Sequence, residues 1–226
     1  MTHWEAPGAG EGDRAIDNDA GLRYLRWYYD TAVWKDLHYR GVRTLKNPAD
    51  MWNYQEIIVS RGLQWVIETG TRHGGSALCF ADLLASCNAE GMVISIDITA
   101  EDNSVRSHPR IRFVVGDSAA PEVVRHVGTL LPTNRSSLFM ILDSDHRKEH
   151  VLRELEAWVP FLRAGDYLVV EDTCINGHPV RPDFGPGPYE AVEAFVAAHP
   201  GLLLPDRARE RKFGYTFAPN GYFIRV

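Results

Sequence analysis

The chain has 226 residues, 45% hydrophobic and 24% charged, enough for one domain with a full core and unlike a disordered or fibrous protein in composition. Its formal net charge of −6 offers no basic footprint for a phosphate-rich partner, so nucleic acid is not an expected ligand. No window approaches the ~20 apolar residues of a membrane span, and three cysteines without a CxxC pair argue neither a disulfide frame nor a zinc knuckle.

A cytoplasmic protein without a membrane partner is expected, because the acidic, Gly-rich start also lacks the apolar run of a signal peptide. Residues 1–20 read as a flexible arm, too poor in apolar area to offset ordering. Residues 21–226 read as a single domain whose first part, 21–60, is a helical cap. In "LRYLRWYYDTAVWKDLHYRG" the aromatics Tyr24, Trp27, Tyr28 and Trp34 recur at mostly helical spacings, predicting one or two helices ending near Gly41. The same face suits a contact between copies, and a homo-oligomer is expected. "NPADMWNYQEIIVSRG" predicts a further helix with Asn47 as N-cap and Pro48 at its first position.

The period then changes. "QWVIETG", "MVISIDI", "IRFVVGD", "SLFMILDSD" and "DYLVVED" are short apolar runs of buried-strand type, separated by helical segments such as "GSALCFADLLASC" and "VLRELEAWVPFLRAG". The alternation predicts an α/β fold with a mostly parallel, doubly wound sheet. Asn220-Gly221 marks a turn between Lys212–Phe217 and Tyr222–Val226, predicting an antiparallel C-terminal hairpin.

The first strand runs into "ETGTRHGGS", which places Gly70, Gly74 and Gly75 at the carboxyl edge of the sheet, where open α/β sheets bind ligands. The loop matches neither G-x-G-x-x-G nor a P-loop. An acid at its lip, Glu68, disfavours a pyrophosphate and favours a cationic amino-acid ligand such as S-adenosylmethionine. Thr71 and Ser76 belong to the same loop. Asp97 ends the second strand at a spacing suited to ribose hydroxyls, and Asp117 with Ser118 ends the third, where an adenine would lie. The bland alternatives are a tight turn at the glycines and a helix cap at Asp117-Ser118.

Asp143 and Asp145 follow the fourth strand; Glu171 and Asp172 follow the fifth. Carboxylates gathered there without a cation would repel, and a hard divalent ion would relieve them: Mg²⁺, with Mn²⁺ as the alternative. His146 and His150 lack the H-E-x-x-H pattern of a zinc pair and read as helix-surface histidines, with His146 close enough to act on substrate. His178, in the Gly- and Pro-rich segment before Pro188, is a candidate base or substrate contact.

"ETGTRHGGSALCF", "DSDHRKEHVL", "EDTCINGHPV", "FGPGPYEAVEAF" and "KFGYTFAPNGYFIRV", together with "YRGVRTLKNP", resemble the cephalosporin hydroxylase / rhamnosyl O-methyltransferase family over most of the chain from about Tyr39. The resemblance implies the Rossmann-like class I methyltransferase fold with S-adenosylmethionine and a divalent metal as cofactors. It also implies methyl transfer to oxygen on a small-molecule glycoside or other polyhydroxylated natural product. By the same resemblance, the Glu68–Gly75 loop and Asp97 hold the cofactor, Glu171 and Asp172 bind metal, and Asp145 or Asp143 supplies the ligand after the fourth strand. Asp145 or His178 is the expected proton acceptor. A hydroxylase and a non-catalytic cofactor-binding helper are the alternatives.

Overall fold

A computed structural model describes residues 18–87 and 89–226. The expected arm over 1–20 lies outside the described residues as far as residue 17. Its last three positions are helical, since helix α1 spans Asn18–Asp30. Leu25 and Tyr28 are buried on one side of α1, whereas Tyr24 and Trp27 face outward. After a 3₁₀ turn at Val33–Asp36, the chain makes a two-residue hairpin of β1 (His38–Tyr39) and β2 (Val42–Arg43). The helical reading up to Gly41 therefore ends early. Arg40 and Gly41 both take positive φ, the geometry of a tight hairpin turn.

Helix α2 (Pro48–Arg61) starts as its sequence predicts: Asn47 accepts a hydrogen bond from the Ala49 N–H through its side chain, and Pro48 occupies the first turn. From there strands and helices alternate: β3 (Trp65–Thr69), α3 (Gly75–Ser86), β4 (Val93–Asp97), β5 (Ile111–Val115), α4 (Pro121–Leu130), β6 (Leu138–Leu142), α5 (Lys148–Trp158), β7 (Tyr167–Val170) and α6 (Pro188–Ala198). Strand β8 (Leu203–Pro205), the short helix α7 (Arg207–Arg211) and β9 (Tyr222–Arg225) complete the chain.

Seven strands form one sheet in the order β5-β4-β3-β6-β7-β9-β8, parallel from β5 to β7 and antiparallel at both β9 pairings. The sequence shows why β6 and β7 are central: all five residues of LFMIL and all four of YLVV are buried, as strands covered on both faces require. Strand β5 mixes buried Ile111 and Val114 with exposed Arg112 and Val115 and lies at the edge. One face packs against α4, α5 and α6, with Trp158 and Phe195 buried among them; the other packs against α2 and α3 through Tyr54 and Phe80. Burying each such large apolar side chain contributes roughly 1.5–3 kcal/mol.

The antiparallel C-terminal part is present, but its partner differs from the expected one. Lys212–Phe217 is irregular, and β9 pairs with β7 and with β8 instead. Asp50 explains the difference. Wholly enclosed in α2, it accepts hydrogen bonds from the Thr216 hydroxyl at 2.5 Å and the Phe217 N–H at 2.8 Å. The backbone amide that a ladder would use at Phe217 is therefore taken. A third cluster, containing Leu25, Tyr28, Cys174, Ile175, Val180 and Phe217, docks α1 on the loop after β7. Among the described residues, no helix is long and apolar enough to cross a membrane.

Candidate active site

The strand order reverses direction between β3 and β6, so the loops after these two strands diverge at the carboxyl edge and leave a crevice there. Thr69 and Asp143 are its walls: the Asp143 N–H donates to Thr69 Oγ1 at 3.1 Å. Next to them lies a cleft with about 250 Å³ of empty space. It is lined by Arg43 to Lys46 on one side, by Gly70 to His73 with Gly75 and Ser76 on the other, and by Asp143.

The glycines have reasons the sequence does not reveal. At Gly70 (φ 86°) a Cβ would stand 1.9 Å from the Asp143 carbonyl oxygen, and at Gly75 it would stand 1.9 Å from Thr44 Oγ1. These two positions are bare because protein, not ligand, fills the space beside them.

Glu68 is not at the lip of the cleft. It lies inside the sheet, wholly buried, its backbone in register with Ser95 and Ile141. Ser95 Oγ donates to Glu68 Oε1 at 2.7 Å, which leaves Thr71 Oγ1 as the donor in its 2.6 Å contact with Ser95. Burial pushes the Glu68 carboxyl up to about 7, with Lys46 pulling the other way. Its Oε2 is a buried acceptor with no hydrogen-bond partner among the described residues, as a site for a cationic ligand would provide.

Asp97 is half-buried at the end of β4, its carboxylate accepting from the Arg72 N–H at 2.7 Å and the Thr99 N–H at 3.3 Å. Gly74 takes positive φ beside Asn103. Asp117 accepts from the Ala119 N–H at 2.9 Å, a local turn that precedes α4 and does not cap it; the N-cap is Ala120. Ser118 is buried, donating to Glu154 Oε1 at 2.6 Å and touching His150 Nε2 at 3.2 Å.

The acids after β6 and β7 do converge, but not all of them. Asp143, His146 and Asp172 each bring a ligand atom within 4.8 Å of the others. His146 Nε2 is 3.2 Å from Asp143 Oδ1 and 3.3 Å from Asp172 Oδ2. His146 therefore precedes α5 and faces the acids; the sequence reading had it close enough to act on substrate but on a helix surface, and only the helix placement differs. His150 turns the other way, to Ser118, so the two histidines share no site. Asp145 is also elsewhere: it accepts from the Arg147 N–H at 3.0 Å and is more than two-fifths exposed. His178 lies in the loop after β7, stacked on Tyr189 with ring centroids 3.8 Å apart and paired with Glu190 at 2.9 Å.

Sequence reasoning missed Lys46. Its Nζ lies 2.5 Å from Asp143 Oδ2 and 2.5 Å from Glu171 Oε1, with both Lys46 and Glu171 almost completely enclosed. Burial disfavours the ammonium, but the Asp143 and Glu171 carboxylates outweigh it and hold its pKa above the usual range. Burial raises Glu171 and Asp172, against Lys46 and His146 respectively, while at Asp143 the effect of burial is outweighed by Lys46 and the carboxyl is held low. At His146 burial opposes the charge, yet Asp172 and Asp143 carry its pKa up to about 9. The repulsion among the acids is thus partly relieved by the chain's own cations. One signal was available: a lysine immediately before an N-cap sits at the positive end of the helix dipole, an unfavourable place without acidic partners.

Two carboxylates and an imidazole within 4.8 Å, with a third carboxylate tied in through Lys46, form an oxygen-rich set that suits a hard divalent cation.

A family model described as Rhamnosyl O-methyltransferase/CmcI matches residues 31–226. The rhamnosyl O-methyltransferase of Mycobacterium leprae (strain TN) is 46% identical over 203 residues, covering 89% of this chain and 89% of that protein. That of Mycobacterium tuberculosis (strain ATCC 25618 / H37Rv) is 46% identical over 204 residues, covering 89% and 83%. Among solved structures, the D160 form of CmcI with Mg and SAM superposes with a TM-score of 0.69 at 21% identity, covering 85% of this chain and 77% of that one. The O-methyltransferase TomG from Streptomyces achromogenes, in complex with SAM, superposes with a TM-score of 0.52 at 16% identity, covering 83% and 78%. At these identities the two structures show a shared fold.

Proposed function

The chain belongs to the rhamnosyl O-methyltransferase/CmcI family and is an S-adenosylmethionine-dependent O-methyltransferase, and from that premise we propose that it methylates a hydroxyl of a rhamnosyl or related glycoside with the help of a divalent cation. The observation that carries this reading is a shared wall: the glycine loop and Asp143 line one cleft. A methyl donor on the loop and a hydroxyl held at the acids would be neighbours.

In this reading the loop from Glu68 to Gly75, with Ser76, holds the methionyl part of the cofactor. Asp97 takes the ribose, and Asp117 and Ser118 border the adenine. Asp143, Asp172 and Glu171 hold the cation, Mg²⁺ or Mn²⁺, while Asp145, turned to Arg147, takes no part. When bound, the cation would make the acceptor hydroxyl more acidic and fix its direction. His146 Nε2 faces the same carboxylates, whose charge holds its pKa at about 9 against burial. With a cation bound that charge is balanced, and the neutral imidazole receives the hydroxyl proton, a role that contributes about 10²–10⁴-fold. The acceptor oxygen then forms its bond to the methyl carbon as the carbon–sulfur bond breaks, leaving S-adenosylhomocysteine. Alignment of oxygen, carbon and sulfur by the cleft contributes up to roughly 7–11 kcal/mol.

His178 is held by Glu190 and Tyr189, and we assign it to shaping the acceptor loop. A homo-oligomer would use the outward edge of α1, where Trp27 is exposed. Reaction in the cytoplasm completes the proposal. The test is transfer of labelled methyl from S-adenosylmethionine to a panel of rhamnosides, with Mg²⁺ and with EDTA. Turnover on a rhamnoside that EDTA abolishes supports the proposal; turnover indifferent to EDTA removes the cation from it.

A further inference from the structure

Lys46 belongs to both halves of the site. Its Nζ joins Asp143 to Glu171 at 2.5 Å each, and the residue also lines the cleft with Gly70, Thr71 and Ser76. Two of its three N–H donors are engaged by these acids. The other cations at the cleft have partners of their own: Arg43 Nε donates to the Lys35 carbonyl, and Arg72 pairs with Asp102 at 3.1 Å. The cleft itself lies at the N-terminal end of α3, where free backbone N–H groups favour an anion.

Lys46 holds Asp143 Oδ2 and Glu171 Oε1 while His146 faces Asp143 Oδ1, so a divalent ion engaging the Asp143 and Glu171 carboxylates would meet the Lys46 ammonium on the same two groups. Two cations cannot share them without repulsion in so enclosed a place. The space Lys46 borders is the cleft. We propose that Lys46 couples the two sites: it bridges the carboxylates while no divalent ion is bound, and turns into the cleft to receive the α-carboxylate of S-adenosylmethionine when one is. This rests on the metal-dependent reading given above. It adds that metal and cofactor each tighten the binding of the other, by the same factor, through one side chain.

Calorimetric titration of S-adenosylhomocysteine, which carries the same α-carboxylate, tests the coupling in EDTA and in saturating MgCl₂. The wild-type protein is expected to bind it roughly five-fold or more tightly with Mg²⁺. In Lys46→Met the ratio falls to about one, and in Lys46→Arg part of it survives. Equal affinities in the wild type overturn the coupling. A titration with MgCl₂ alone then separates the causes: heat of Mg²⁺ binding without coupling removes the Lys46 switch only, and no heat removes the metal reading with it.

Lys46→Met strips two buried carboxylates of their counter-charge, so a second measurement uses the wild type. Amine labelling followed by mass spectrometry should modify Lys46 slowly in EDTA, faster with Mg²⁺, and slowly again with Mg²⁺ plus S-adenosylhomocysteine. Slow labelling under all three conditions contradicts the switch.

Discussion

Gly70 lies directly against the Asp143 backbone: a Cβ on Gly70 would fall 1.9 Å from the Asp143 carbonyl oxygen. The turn that leaves β3 and the turn that carries the first acid of the cluster are therefore one packed unit. Gly70→Ala meets this contact at a φ of 86°, which disfavours any side chain. The expected result is a loss of about 2–4 kcal/mol of stability from overpacking and backbone strain together, measured by denaturant unfolding. Weaker binding of both S-adenosylhomocysteine and Mg²⁺ should accompany it.

Asp143→Asn and Asp172→Asn remove acids within 4.8 Å of one another. Both are expected to abolish Mg²⁺ binding by calorimetry and with it methyl transfer. Asp145→Asn changes a carboxylate turned to Arg147 and should leave Mg²⁺ affinity intact and stability within about ±0.5 kcal/mol.

His146 and His178 should separate kinetically. His146→Ala removes the imidazole facing Asp143 and Asp172 and is expected to lower kcat by about 10²–10⁴-fold. His178→Ala removes a side chain stacked on Tyr189 and paired with Glu190, and should raise KM for the acceptor with a smaller change in kcat. Steady-state kinetics on both variants checks the split.

Glu190 supplies a pH test. Burial works against its charge, but donors from Gly187, His178 and Asn176 together outweigh it and hold the carboxyl at about 2, below its ordinary 4.5. A carboxylate depressed in the folded state contributes stability that is present above about pH 4.5 and is lost as pH falls toward 2. The wild type should therefore be more stable than Glu190→Gln near neutral pH, and the gap in unfolding temperature should narrow steadily in acid.

The parallel sheet was legible because β6 and β7 are continuous apolar runs that permit only buried positions. The last strand was legible too, but not its partner, because Asp50, far away in sequence, holds the Phe217 amide that a hairpin would have used. In the site, Asp143, Glu171 and Asp172 could be read as acids at strand ends. Their connection through Lys46 could not, since its place before an N-cap calls for acidic partners without saying which acids they are. The choice between Asp143 and Asp145 turns on two residues of offset after β6, which only the path of that turn decides. The glycines were seen for the right place and partly the wrong reason: Gly70 and Gly75 make room for Asp143 and Thr44.

The most direct measurement is anomalous diffraction from crystals soaked in Mn²⁺ with S-adenosylhomocysteine. The account predicts one strong peak bounded by Asp143, Glu171 and Asp172, beside the sulfur of a nucleoside lying along the Glu68–Ser76 loop. A peak at another place, or an occupied nucleoside site with no metal among these acids, would contradict it.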